Sequence, residues 1–305
     1  MSVAVAEEGN ARKGGPELAA VQQSITDSDA LWSKIMAEAD SIGHLKGGWS
    51  LGEGLRHLVS VQPRFKNWVL QSGLPRIFIT PIDDKLSHFA SLAKIIVFQQ
   101  VSIAAGKSIF DKVLAALNVA SANELEPKHI SNAEWGVTLD SGRQKLLLNG
   151  SPCGLSESKA RYLRSLSSHF EDKDRLGCDL ESLSEDQLMQ KLLAVQGLGL
   201  WSVHMYLMFH LQKGNVLALG DLGVRRGIAK LYNLGTDWRR KKEADFRPFV
   251  ANWTPFSSLG SALMWKAEDV SLLAPLPLHD AQSTSSSSKR KTGDDSNPLP
   301  SKKRR

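Results

Sequence analysis

Through the middle of the chain, apolar residues recur at helical spacing. Ser50-Leu51-Gly52-Glu53 has the form of a capping box, and Leu55, Leu58, Val59, Trp68 and Val69 follow it at helical intervals. A second helix is expected over about 87–101, with Leu92, Ile95, Ile96 and Val97 on its buried face, and a third over about 103–117. Ser156 can cap a helix over 159–169, and Ser184-Glu185-Asp186-Gln187 is a second capping box ahead of 188–195. Strand-type alternation is confined to a short hairpin within 135–148, inside a long connection, 131–153, that the pattern leaves unassigned. The fold class predicted is mainly α.

Both ends depart from this pattern. Residues 1–25 are short of large apolar side chains. Residues 275–305 run through a serine-rich stretch at 283–288 and then Pro298 and Pro300, a composition that buries too little surface to offset ordering entropy. The expected organisation is a disordered tail over 1–25, one all-α domain over 26–274, and a second, basic disordered tail over 275–305. The net charge of +6 gathers at the C-terminal end, where seven Lys/Arg face three Asp over 275–305. Lys289-Arg290-Lys291 and Lys302-Lys303-Arg304-Arg305 form two basic clusters separated by ten residues. That spacing resembles a bipartite nuclear-import signal read by an import receptor; a solvated basic tail attracted to any polyanion has the same composition. Apolar runs are only a few residues long and no secretory leader pattern opens the chain, so a soluble protein without a membrane partner is expected. Cys153 and Cys178 lack metal-site spacing and read as free thiols in a reducing compartment.

The most informative stretch is LMQKLLAVQGLGLWSVHMYLMFHLQKGNVLALGDLGVRRG, residues 188–227. A short amphipathic helix stops at Val195, Gln196-Gly197-Leu198-Gly199 makes a tight turn, and an apolar helix follows over about 200–211. Backbone N–H groups at the start of that second helix suit a phosphate, although GxG between helices is also what a compact turn requires. After a loop over 213–220 comes Asp221, placed to cap a helix over 222–232.

This stretch resembles the helix-hairpin-helix of DNA glycosylases, in which a catalytic aspartate follows the second helix. The match is closest to the branch containing bacterial 3-methyladenine DNA glycosylase II and its yeast and plant relatives. Further similar segments are Ile95-Ile96-Val97-Phe98-Gln99-Gln100-Val101-Ser102, Gly154-Leu155-Ser156-Glu157-Ser158-Lys159-Ala160, and residues 255–265, so the resemblance spans roughly residues 50–270. It implies two helical subdomains flanking a DNA-binding cleft; the bacterial enzyme's additional N-terminal sheet domain has no evident counterpart, because residues 26–75 look helical.

The resemblance also assigns expected roles. Asp221 would stabilise the positive charge that grows on the sugar as the C1′–base bond stretches, and would orient or deprotonate the attacking water. Trp201 stands where bifunctional relatives carry a lysine nucleophile, so a monofunctional enzyme releasing alkylated purines of the 3-methyladenine and 7-methylguanine class is expected. Trp201 and Trp265 match two pocket walls, with core packing as their plain alternative, and Met205 stands where the bacterial enzyme has tyrosine. Gln100 matches the side chain that fills the hole left by the flipped base. Gln99, Ser102, Lys159 and the backbone of Gly154, Gly197 and Gly199 are expected at the DNA backbone. The carbonyls of Val195 and Leu198 are expected to accept a sodium or potassium ion; no cofactor is required. Two cysteines cannot hold the cluster of the iron–sulfur branch, and Ser257 replaces an arginine common among relatives. The implied partner is double-stranded DNA with alkylated bases, and the chain is expected to act in the nucleus as a monomer. A DNA-binding protein in which Asp221 is only a cap, or an enzyme for another lesion, would share these motifs.

Overall fold

A computed structural model describes residues 16–79, 86–140 and 143–270. The chain divides into Met1–Leu273 and Ala274–Arg305, and every described residue belongs to the first unit. The expected tail 275–305, with its basic clusters, lies outside the described residues.

Thirteen helices follow in order among the described residues: α1 (Pro16–Ser41), α2 (Leu51–Val61), α3 (Arg64–Ser72), α4 (Arg76–Ile79), α5 (His88–Phe98), α6 (Ile103–Ala116), α7 (Pro127–Ser131), α8 (Glu157–Glu171), α9 (Glu185–Leu193), α10 (Leu200–Phe209), α11 (Leu222–Leu231), α12 (Glu243–Val250) and α13 (Ser257–Met264). Helix α1 opens at Pro16, inside the segment 1–25 expected as a tail, with proline in a first turn that needs no N–H donor. The single apolar series read from Leu55 to Val69 is two helices. Pro63 excludes α-helical backbone at Gln62, which is extended (φ −148, ψ 96), and α3 starts afresh.

Side-chain caps set most of the helix starts near the site. Ser50, Ser87, Ser102, Ser156 and Ser184 each accept the N–H three residues on, and Asp221 does the same at α11. Each such cap is worth about 1 kcal/mol. The helices gather in two groups: α5 packs on α6, α8 and α10, with α9 on α10, while α2, α3, α11 and α13 pack on one another. Helix α10 is buried on most of its circumference, through Ser202, Val203, Met205, Tyr206, Leu207 and Met208, which is why its sequence shows no polar face.

The expected hairpin is present and larger than expected. β1 (Trp135–Asp140) pairs antiparallel with β2 (Arg143–Leu148), Trp135 opposite Leu148, and β2 pairs with β3 (Ser151–Pro152). The unassigned connection 131–153 is therefore mostly sheet, and the domain is mainly α rather than all α. Its alternation was faint because Val137 and Leu139 leave 60 % and 73 % of their surface in solvent.

Three serines of the α13 segment fix the loop between α10 and α11. Ser258 Oγ accepts from Val216 N and donates to Lys213 O, Ser261 Oγ accepts from Ala218 N, and Ser257 donates to Asn215. Ser257, in place of the arginine expected from the resemblance, thus holds this loop. Ala218 O in turn accepts from Asp221 N at 3.0 Å.

Candidate active site

Asp221 sits in extended backbone (φ −81, ψ 129) at the start of α11, and both of its carboxylate oxygens are engaged. Oδ1 accepts from Val224 N at 3.0 Å and from Trp265 Nε1 at 2.8 Å; Oδ2 accepts from Trp201 Nε1 at 2.8 Å. A carboxylate offers about four acceptor positions, two per oxygen. Oδ1 is filled and Oδ2 keeps a free lone pair. Gly223 permits this crowding: a Cβ there would lie 2.8 Å from Trp265 Cδ1 and 3.0 Å from Asp221 Oδ1. The sequence reading expected indole faces as pocket walls. The structure turns both indole N–H edges onto the carboxylate, fixing its orientation with neutral donors, and Trp201 alone of the two also borders a hollow.

Trp201, 39 % exposed, separates two hollows. On one side is a cleft of about 600 Å³, bordered by Gln99, Gln100, Lys159, Tyr162, Gly197 and Trp201 among others. On the other is a mainly apolar cavity of about 350 Å³ between α5 and α10, where Ile95, Phe98, Trp201, Met205, Phe209 and His210 contribute to the lining. Met205, which stands where the bacterial enzyme has tyrosine, borders this cavity. Trp265 lines neither hollow; it packs on Phe209 with ring centroids 5.6 Å apart and serves Asp221 through its N–H.

Two residues expected at the DNA backbone are engaged within the protein. Gln99 donates both amide hydrogens, to Gly197 O and to Ser202 Oγ, each at 2.9 Å, tying the end of α5 to the hairpin. Lys159 Nζ donates to Val97 O at 2.7 Å, closing the C-terminal end of α5, and burial lowers its pKa. Gln100 remains exposed at the cleft in left-handed backbone (φ 56), a conformation unusual for a side chain other than glycine. Ser102 caps α6 through Ala105 N. Gly154, with φ 77, borders a different hollow beside Lys112 and Lys145.

In the hairpin the two glycines differ. Gly197 has φ 92, and a Cβ on it would fall 2.1 Å from the Tyr162 ring; both conditions demand glycine. Gly199 has φ −88, caps α10 without a side chain, and a Cβ there would meet nothing within 4 Å. The turn's requirement for glycine therefore lies at 197, where Tyr162 packs, and not at 199. Val195 O accepts from Leu198 N at 3.1 Å and keeps a second lone pair.

Sequence reasoning passed over Tyr162, Ile103 and His210. Ile103 opens α6 beside the Gln100 turn with 82 % of its surface exposed, a signal visible as an apolar residue directly after a cap. No group of three or more His, Cys, Asp or Glu side chains among the described residues is arranged to hold a metal ion, and no described helix is long and apolar enough to cross a membrane.

Comparison with known proteins agrees with this architecture. Residues 93–250 match the model described as HhH-GPD superfamily base excision DNA repair protein. A DNA-3-methyladenine glycosylase of Saccharomyces cerevisiae is 37 % identical over 84 residues, 26 % of this chain and 27 % of that protein. DNA-3-methyladenine glycosylase 1 of Schizosaccharomyces pombe is 24 % identical over 156 residues, 50 % of this chain and 60 % of that one. The matches thus span from about a quarter to three fifths of these curated relatives. Among solved structures, the Schizosaccharomyces pombe 3-methyladenine DNA glycosylase in complex with abasic DNA superposes with a TM-score of 0.56 at 21 % identity, over 73 % of this chain and 100 % of that one.

Proposed function

The chain belongs to the HhH-GPD superfamily of base excision DNA repair proteins, and on that premise we propose that it is a monofunctional DNA glycosylase releasing alkylated purines. The observation that carries the reading is the Asp221 carboxylate, with one acceptor position open on Oδ2, bonded to Trp201 at the partition between a cleft bordered by polar residues and an apolar cavity. At about 350 Å³ the cavity lies within the roughly 300–1,000 Å³ of small-molecule pockets.

In the proposed reaction the duplex lies along the cleft and the damaged nucleotide turns out of the stack, its base entering the cavity. Gln100, already exposed in a left-handed turn, fills the gap, with exposed Ile103 beside it. As the C1′–N bond lengthens, its electron pair leaves with the base and positive charge develops on the sugar. An alkylated purine is already cationic, so it departs with little acid assistance; the cavity that would receive it is bordered by Phe98, Trp201 and Phe209, with Lys94 Nζ 5.9 Å from the Phe98 ring centroid. The free lone pair of Asp221 Oδ2 stabilises the sugar and accepts a proton from the attacking water, while Oδ1 keeps its two donors. The products are the free base and an abasic site. Tryptophan at 201 supplies no amine for a covalent intermediate, so the strand stays intact.

The hairpin would hold a phosphate at the open N-terminus of α10 around Gly199. The carbonyls of Val195 and Leu198 lie past the C-terminal end of α9, where acceptors outnumber donors; they fit a sodium or potassium ion, which would supply positive charge beside that phosphate. Gln99 and Lys159 contribute by shaping the cleft, and Ser102 by capping α6 beside the Gln100 turn. We assign the tail clusters to nuclear import and the active form to a monomer.

Asp221→Asn tests the mechanism. The amide oxygen can still cap α11, but the charge is gone and an N–H₂ faces Trp201. Base release from methylated DNA should fall at least a hundredfold with abasic-site binding retained. Full activity would remove Asp221 from the chemistry and leave it a helix cap.

A further inference from the structure

The mainly apolar cavity beside Trp201 has a single charge on its border. Of the residues around it, Lys94 alone carries a full charge; His210, the other ionisable one, stays neutral at physiological pH because burial, with His88 and Lys46 nearby, pushes its pKa down to about 4. Lys94 is exposed on α5, about one turn before Phe98. Its Nζ stands over the Phe98 ring, 5.9 Å from the centroid. That ring is fixed from α6, where a Cβ on Gly106 would fall 2.7 Å from Phe98 Cδ1. The proposed reaction gives Lys94 nothing to do.

A charge at this place matters because breaking the C1′–N bond moves charge. The electron pair leaves with the base, water forms the new bond to C1′, and the base becomes more negative by one unit. A purine that starts neutral therefore departs as an anion and takes up the proton that the water gives up. A purine that starts cationic departs neutral, and that proton goes to solvent. At the sugar, the Asp221 carboxylate beside Trp201 meets the positive end of this separation. At the base, Lys94 supplies the opposite sign. Relative to free enzyme and free DNA, an ammonium attracts a departing anion and finds no charge to attract in a departing neutral base.

Resting on the glycosylase reading, we infer that Lys94 is a specificity-determining residue: its ammonium at the edge of the cavity lowers the barrier for purines that leave as anions and gives no such help to cationic ones. The charge thereby widens the range of the cavity toward uncharged lesions, whose departure nothing else bordering it assists.

Two defined duplexes separate the cases, one carrying 7-methylguanine, which is cationic, and one carrying ethenoadenine, which is neutral. Lys94→Met keeps an unbranched stem beside Phe98 and removes the charge; as an exposed change it has little bearing on folding. It should lower kcat/KM for ethenoadenine about tenfold, the scale of a unit charge at a partly screened edge, and change that for 7-methylguanine by less than about twofold. Lys94→Arg should bring the ethenoadenine value back to within about threefold of wild type. Equal loss on both lesions would make Lys94 a contact to the DNA backbone and overturn the inference. An unchanged ethenoadenine value in Lys94→Met, or no ethenoadenine release by wild type, also overturns it. In each of these cases 7-methylguanine release by wild type leaves the glycosylase reading standing, whereas release of neither base overturns both.

Discussion

Two indole N–H groups on one carboxylate make Trp201 and Trp265 separable from their role as rings. Trp265→Phe retains an aromatic against Phe209 and deletes the donor to Oδ1. A hydrogen bond to a charged group contributes about 1.5–3 kcal/mol, so single-turnover base release should fall roughly tenfold to a hundredfold. Binding to abasic DNA should stay near wild type, and equal loss in both assays would mark Trp265 as structural. His210 supports a prediction about pH. In the unfolded chain its pKa returns to near 6.5, against about 4 in the fold, so the unfolded state binds more protons between those values. Stability from the neutral ring is complete above 6.5 and is lost as pH falls toward 4, a difference on the order of 3 kcal/mol. Urea melts at pH 7 and pH 4.5 should show it, and His210→Phe should flatten the difference. Asp221 and Trp201 were legible in the sequence because their neighbours carry the family pattern. The engagements of Gln99 and Lys159 were not, since their partners lie 98 and 62 residues away and a long polar side chain shows no direction until packing supplies one. Trp265 was misread for the same reason: Gly223, on another helix, decides which edge of the ring meets Asp221.

At the scale of elements, the capped helices could be located, with bounds up to about three residues from the observed ones, because a serine followed three positions on by a free backbone N–H is a local event. The sheet and the α2–α3 break were harder. One strand leaves its apolar side chains in solvent, and the apolar spacing runs on past Pro63 although the backbone cannot. The hairpin offers the sharpest test, because its glycines have different reasons to be glycine. Gly197→Ala should cost roughly 2–4 kcal/mol, from left-handed backbone strain and overlap with Tyr162 together, measured as a lower urea midpoint. A Cβ at Gly199 meets nothing within 4 Å, so Gly199→Val should cost no more than about 1 kcal/mol, the scale of a poorer N-cap residue. It should weaken damaged and undamaged duplexes alike, with a salt slope shallower by about 1. Unchanged affinity and slope in Gly199→Val would make the hairpin a turn and place the phosphate contact elsewhere.

For the whole molecule, charge is divided between a helical domain and a basic C-terminal segment. Deleting 289–305 should leave base release intact and move a fluorescently tagged protein from nucleus to cytoplasm; unchanged accumulation would refute the import assignment. Borohydride should trap no protein–DNA adduct during turnover, since no lysine stands at 201, and an efficient trap would end the monofunctional reading. Asp221 serves two masters, as the N-cap of α11 and as the proposed catalytic carboxylate. Natural selection for folding alone would therefore preserve it in a descendant that had stopped excising bases. The aspartate is a poor witness to activity among such descendants. Trp201, Gly223 and Trp265 testify better, because capping α11 needs none of them: drift at those three positions beneath a retained aspartate would be the first mark of an enzyme turned binding protein.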